Sequence, residues 1–68
     1  MTREEFLSLE RGQVLRDRRG MIWTVLAAPL EQRGHTVVVI RSGDLVRTAD
    51  ERFCDEYRLV GDASDTTS

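Results

Sequence analysis

The stretch Arg16-Asp17-Arg18-Arg19-Gly20-Met21-Ile22-Trp23, "RDRRGMIW", sets three arginines within four positions beside the only tryptophan of the chain. Two readings compete for it. In one, the arginines form a nucleic-acid patch next to a stacking ring. In the other, the chain turns tightly and enters a buried strand. Asp at the first place and Gly at the fourth of Asp17-Arg18-Arg19-Gly20 favour a type I turn. A left-handed Gly after such a turn gives a hairpin with a bulge. The flanks "QVLRD" (13–17) and "MIWTVLAA" (21–28) are rich in branched and aromatic residues, as strands are. The turn therefore lifts Arg18 and Arg19 into water. Alternation sets Met21, Trp23, Val25 and Ala27 on one face and Ile22, Thr24, Leu26 and Ala28 on the other. Thr24 marks the second face as the wetter one, so Trp23 and Val25 point to the core.

Working towards the N-terminus, "TREEFLSLERG" (2–12) reads as a short helix. Thr2 and Glu5 have capping-box spacing, Phe6 and Leu9 share a face, and Gly12 suits the stop. A helix this short persists only when docked. Towards the C-terminus, Pro29 ends the tryptophan strand and "PLEQRGH" (29–35) reads as a loop. "TVVVIR" (36–41) carries branched residues in succession, which predicts burial on both faces or a bent strand. Ser42-Gly43 reads as a two-residue hairpin loop and "DLVRT" (44–48) as the partner strand. Thr48 and Glu51 repeat the capping-box spacing, so "ADERFC" (49–54) is expected to be one helical turn. "EYRLV" (56–60) is the last strand. Residues 61–68, "GDASDTTS", are expected to be a flexible tail. The expectation is a single domain over residues 1–60, with the docked helix in residues 1–11. The expected core is Leu15, Trp23, Val25, Val38, Ile40, Val46, Phe53 and Leu59, joined by Phe6 and Leu9.

A chain of 68 residues has room for one small core and little for a deep cleft. No apolar run approaches the roughly 20 residues of a membrane span, and the N-terminus lacks a secretory pattern. A lone Cys54 fits a reducing compartment, so a cytoplasmic location is expected. The net charge is −2, and it is uneven. Residues 1–49 hold eight arginines against six acids; residues 50–68 hold two against six. An acidic total argues against indiscriminate binding to phosphate backbones, but not against a local basic face.

Five short strands with closely spaced turns predict a mainly β fold, either a small barrel or two orthogonal sheets. The segment "GQVLRDRRGMIWTV" resembles the opening G-x-x-hydrophobic-x-D-x-x-G-x-x-W-x-V hairpin of the SH3-like small β-barrels. The hairpin "VVVIRSGDLV" and the helical turn before the last strand extend that resemblance over residues 12 to 60. It implies a five-stranded SH3-like barrel with a short N-terminal helix. The superfamily includes KOW-type and Tudor-like modules and small phage and bacterial mobile-element proteins. Its members bind RNA, peptides or other proteins, or act as structural parts, so the resemblance implies no single function. The aromatic motifs of peptide-binding SH3 domains are absent from this chain, and no family binding residue carries over.

His35 and Cys54 are the sole nucleophile-and-base candidates, and nothing in their spacing suggests a dyad. One Cys and one His make a closed zinc site implausible. Asp50-Glu51 and Asp55-Glu56 are adjacent pairs whose side chains diverge. No glycine-rich phosphate loop is present. The expectation is therefore a non-enzymatic module without cofactor or metal, whose partner is another protein or a second copy of itself. The candidate contacts are the arginines Arg16, Arg18, Arg19, Arg41 and Arg47, with Arg41 and Arg47 facing each other near the hairpin, and the apolar wet-face residues Ile22, Leu26 and Val37. An uncovered edge of "TVVVIR" or "LVRT" would accept a partner strand. The alternative is nucleic-acid binding through the arginines. The same arginines also fit a solvated strand surface, with Arg41 or Arg47 paired to Asp44 or Asp17.

Overall fold

The computed structural model describes residues 1–62; the rest of the expected tail lies outside the described residues. The order is helix α1 (Arg3–Leu7) and strands β1 (Gln13–Asp17), β2 (Ile22–Val25), β3 (Leu30–Gln32), β4 (His35–Ser42) and β5 (Leu45–Asp50). A 3-10 segment (Glu51–Glu56) and strand β6 (Tyr57–Asp62) complete it. The fold is mainly β, with a short N-terminal helix and a helical segment before the last strand, as expected. All strand pairs are antiparallel.

Two features of the expected barrel change. The strands number six, because Leu30–Gln32 pairs with β4 through a two-residue turn at Arg33 and Gly34, both at positive φ. Such a turn matches strand twist, and the dipeptide Arg-Gly gave only half its usual signal. The sheet also does not close. Its path is β3-β4-β2-β1-β6, with β5 hydrogen-bonded to β4 alone. Strand β6 reaches Asp62, two residues past the boundary expected at residue 60.

Helix α1 keeps its expected start. The Thr2 side chain accepts from Glu5 N, and Glu5 accepts from Thr2 N. It stops at Ser8, not at Gly12: the Ser8 backbone leaves the helical region at φ −101° and ψ 6°, and the next N–H, of Leu9, closes on the Phe6 carbonyl. The 3-10 segment begins differently from its sequence reading. Its cap is Asp50, which accepts from Arg52 N, while Glu51 turns to Thr36 N and to Arg3. Thr48 stays in β5.

The core holds Phe6, Leu9, Leu15, Trp23, Val25, Val38 and Ile40, all expected, together with Ala49 and Tyr57. Leu59 is only half-buried against it. Two expected members are on the surface: Val46 is 56% exposed and Phe53 is 50% exposed. A two-residue loop pairs even positions of β4 with odd positions of β5. With Val38 and Ile40 inward, Ala49 and Arg47 share their face, and Val46 must look out. Phe53 is turned out where the 3-10 segment kinks, at φ −117°, and Arg52 lies over its ring. Tyr57 occupies the core at that end.

Candidate site at the open seam of the sheet

The opening hairpin has the expected turn. Gly20 N donates to Asp17 O at 3.0 Å, and Gly20 sits at φ +85°. The Asp17 side chain does more than start the turn. Its Oδ1 accepts from Arg19 N (2.8 Å) and Met21 N (2.9 Å), and its Oδ2 accepts from Trp23 Nε1 (3.1 Å). The indole N–H, followed by these backbone N–H groups, holds the Asp17 carboxyl below the usual carboxylate range. One carboxylate thus fixes the turn and satisfies the polar atom of a fully buried tryptophan. Trp23 is an anchor of the core rather than a stacking platform.

Over the indole lies Arg47, its Cζ 4.8 Å from the ring centroid. Arg47 stands at the border of a cleft of about 610 Å³ between β5 and the β1–β2 turn. Arg18, Arg19, Met21, Leu45, Arg47 and Tyr57 line it. This cleft lies where the sheet fails to close. Met21 and Leu45 are both exposed there, and neither was singled out as a contact from sequence. Alternation alone could have found Leu45, since it shares the parity of Arg47 and Ala49.

Among the described residues, strand β5 is paired on one side only, to β4. Leu26 N donates to Val39 O at 2.9 Å, so Val39 turns its backbone towards β2. Thr48, opposite Val39, therefore turns its own N–H and C=O away from β4, and by alternation so does Val46. The free edge presents these unpaired groups beside the exposed side chains of Leu45, Val46, Arg47 and Thr48. No bulge or proline interrupts it.

The five arginines do not form one face. Arg18, Arg19 and Arg47 come together at the cleft. Arg16 and Arg41 lie on the opposite, outer face, where Arg16 is opposite Ile22 and Arg41 is opposite Thr24 and Val46. The expected facing of Arg41 and Arg47 fails for the parity reason that moved Val46: Arg47 is opposite Ile40. The sequence reading missed Arg58, which is opposite Arg16 on β6. The inward direction of Leu59 was its signal.

Among the apolar candidates, Ile22 is exposed, as expected for a contact. Leu26 is half-buried and committed to β4 through its N–H. Val37 is buried, because it sits on the central strand between Leu30 of β3 and Asp50 of β5. This is the two-sided burial that its branched run predicts.

The ion pairs among the described residues are Arg3–Glu51 (2.7 Å), Arg18–Asp55 (3.7 Å) and Arg52–Asp50 (3.2 Å). None joins Arg41 or Arg47 to Asp44 or Asp17. Glu51 is held below its usual range by the Thr36 backbone N–H first and by Arg3 last, and Asp50 by the Arg52 guanidinium first. Among the described residues no three His, Cys, Asp or Glu side chains group as metal ligands. No described helix is long and apolar enough to cross a membrane. No family model matches this chain, and no curated protein or solved structure matches it.

Proposed function

We propose that the chain is a non-enzymatic binding module on an SH3-like scaffold, and that it takes an extended segment of a partner protein along the free edge of β5. The strand order, the short turn after β1 and the 3-10 segment before the last strand support the SH3-like reading. One observation carries the functional reading: among the described residues β5 is hydrogen-bonded on one side only, and a cleft of about 610 Å³ lies beside its Leu45 and Arg47.

An extended segment pairs there by strand addition. Its backbone meets the N–H and C=O groups of Val46 and Thr48. Side chains on one of its faces enter the cleft, against Met21 and Leu45, within reach of the guanidinium groups of Arg19 and Arg47. Those on the other face lie beside Val46. Main-chain bonds supply affinity in this mode, and the cleft supplies selectivity. Small cores also gain stability from such association.

Peptides selected from a random ten-residue library on the immobilised chain supply the probe. In an amide NMR titration, the expected shifts fall on residues 45–48 and on the turn 18–21. Thr48→Pro removes an outward donor and leaves β4 pairing intact, since edge positions with a solvent-facing N–H tolerate proline. It should abolish peptide binding while the spectrum stays folded. Peptides that bind Thr48→Pro as well as the unaltered chain would refute the strand-addition mode. A chain that dimerises through β5 instead would move the reading to self-association, and light scattering reads that directly.

A further inference from the structure

The outer face of the sheet carries a second arrangement, independent of the cleft. Arg16 is directly opposite Arg58 in the β1–β6 register, and both are exposed. Like charges placed so, with Cβ atoms about 5 Å apart, destabilise a sheet unless something neutralises them. Among the described residues, no carboxylate lies within ion-pair distance of Arg16, Arg58 or Arg41. Acids do share a hollow of about 540 Å³ with the first two, but they are engaged elsewhere or stand apart. Glu5 accepts from Thr2 N, Asp17 accepts from Arg19 N, Met21 N and the Trp23 indole, Asp55 pairs with Arg18, and Glu56 makes no ion pair among the described residues.

Arg41 extends this face. It is opposite Thr24, which is opposite Val14, one row beyond the row of Arg58, Arg16 and Ile22. Two strand spacings of about 4.8 Å and an offset of two residues at about 3.4 Å each put Arg41 roughly 12 Å from Arg16. We propose that Arg16, Arg58 and Arg41 bind the phosphate backbone of double-stranded nucleic acid, without reading its sequence. The spacing is comparable with the roughly 12 Å width of the major groove, whose flanking phosphates are fixed in place. The side chains between Arg16 and Arg41 are Val14, Ile22 and Thr24, with no amide or acid among them for base edges. Nor do the strands of this face carry an exposed aromatic ring for stacking: Trp23, Tyr57 and Phe6 are buried, and the exposed Phe53 belongs to the 3-10 segment, with Arg52 over its ring. Single strands, which need such stacking, are therefore the poorer ligand.

The test is fluorescence anisotropy of a labelled sixteen-base-pair DNA duplex with the full chain. Three phosphate contacts give a slope of about −2.7 in log K against log salt. Raising salt from 50 to 200 mM should thus weaken binding roughly 40-fold. Arg16→Ala, Arg58→Ala and Arg41→Ala should each reduce the slope by about 0.9, while Arg19→Ala, at the cleft, leaves it unchanged. A single strand of equal length should bind more weakly. All four arginines are exposed, and amide spectra check that the variants fold.

No duplex binding at 50 mM salt would overturn the proposal. A slope indifferent to the three outer-face substitutions would do the same. Polyglutamate that competes as well as duplex at equal charge would give the face to acidic proteins instead. Thr48→Pro should leave duplex binding intact, so failure here and failure of strand addition at β5 are separable.

Discussion

The two tight hairpins of this molecule use similar chemistry to opposite ends. In the β1–β2 hairpin, Asp17 spends both carboxylate oxygens on the turn and on the indole of Trp23. The strand that follows drives Trp23 and Val25 into the core. In the β4–β5 hairpin, Gly43 turns the chain at φ +61°, and the strand that follows leaves four successive residues exposed. The first hairpin is consumed by the fold; the second only borrows β4. Residues whose polar groups and apolar surface are already satisfied have nothing left to offer a partner. The difference makes the inward side of the first hairpin structural and leaves its turn, with the free edge of the second, facing the cleft.

Trp23→Ala should break the comparison most visibly. Truncating a buried tryptophan costs about 3–5 kcal/mol. A core in a chain of this length supplies little more than that. The variant should lose amide dispersion in NMR and cooperative urea unfolding at 25 °C. A variant that kept both would mean that the first hairpin is not the anchor argued here.

Acid comes next. Asp17, Glu5, Asp50 and Glu51 all sit below their ordinary values, each held there by hydrogen bonds made in the folded chain. The unfolded chain then binds more protons than the folded one between the lowered values and the ordinary range of about 4. Stability should be flat above about pH 5 and fall as pH drops through that window. Urea midpoints between pH 2.5 and 6 read this. The acid sensitivity of the Trp23 environment should diminish in Asp17→Asn, because its titrating partner is gone.

The same contrast explains what could be read from residues alone. The first hairpin was legible because every signal in it is local: Asp and Gly at fixed turn places, then strict alternation into Trp23. Its core residues followed. The second hairpin was legible in kind but not in placement. Reading the loop as Ser42-Gly43 rather than Gly43-Asp44 displaced it by one residue. Val46 and the facing of Arg41 with Arg47 failed separately, since parity excludes both for any two-residue loop. Strand β3 was hidden because Leu30-Glu31-Gln32 has no strand signal of its own and exists by pairing with β4. The open seam was invisible for a deeper reason. Closure depends on how β5 and β6 lie in space, and no local pattern encodes that.

Arg47 joins the two hairpins, since it belongs to β5 and covers the tryptophan of β2. At an exposed site a guanidinium over an aromatic ring contributes about 0.5–1 kcal/mol. Arg47→Ala should lower stability by that amount and leave the indole open to solvent. Iodide quenching of Trp23 fluorescence should therefore rise well before any unfolding. Unchanged quenching would mean that the indole is sealed by the core alone.

The smallest effect is the most informative about the free edge. Val46 points outward from an edge strand, and Thr has its shape and a comparable preference for strands. Val46→Thr should leave the urea midpoint equivalent to within about 0.5 kcal/mol, as surface substitutions generally do. Val25, also a valine and also on a strand, is fully packed, so Val25→Thr would bury a hydroxyl in place of a methyl and should cost more. If Val46→Thr instead cost as much as Val25→Thr, Val46 would have to be covered in solution. None of the described residues covers it, so cover by another chain would make the surplus grow with protein concentration. A surplus that did not vary with concentration would contradict the exposure of Val46 among the described residues.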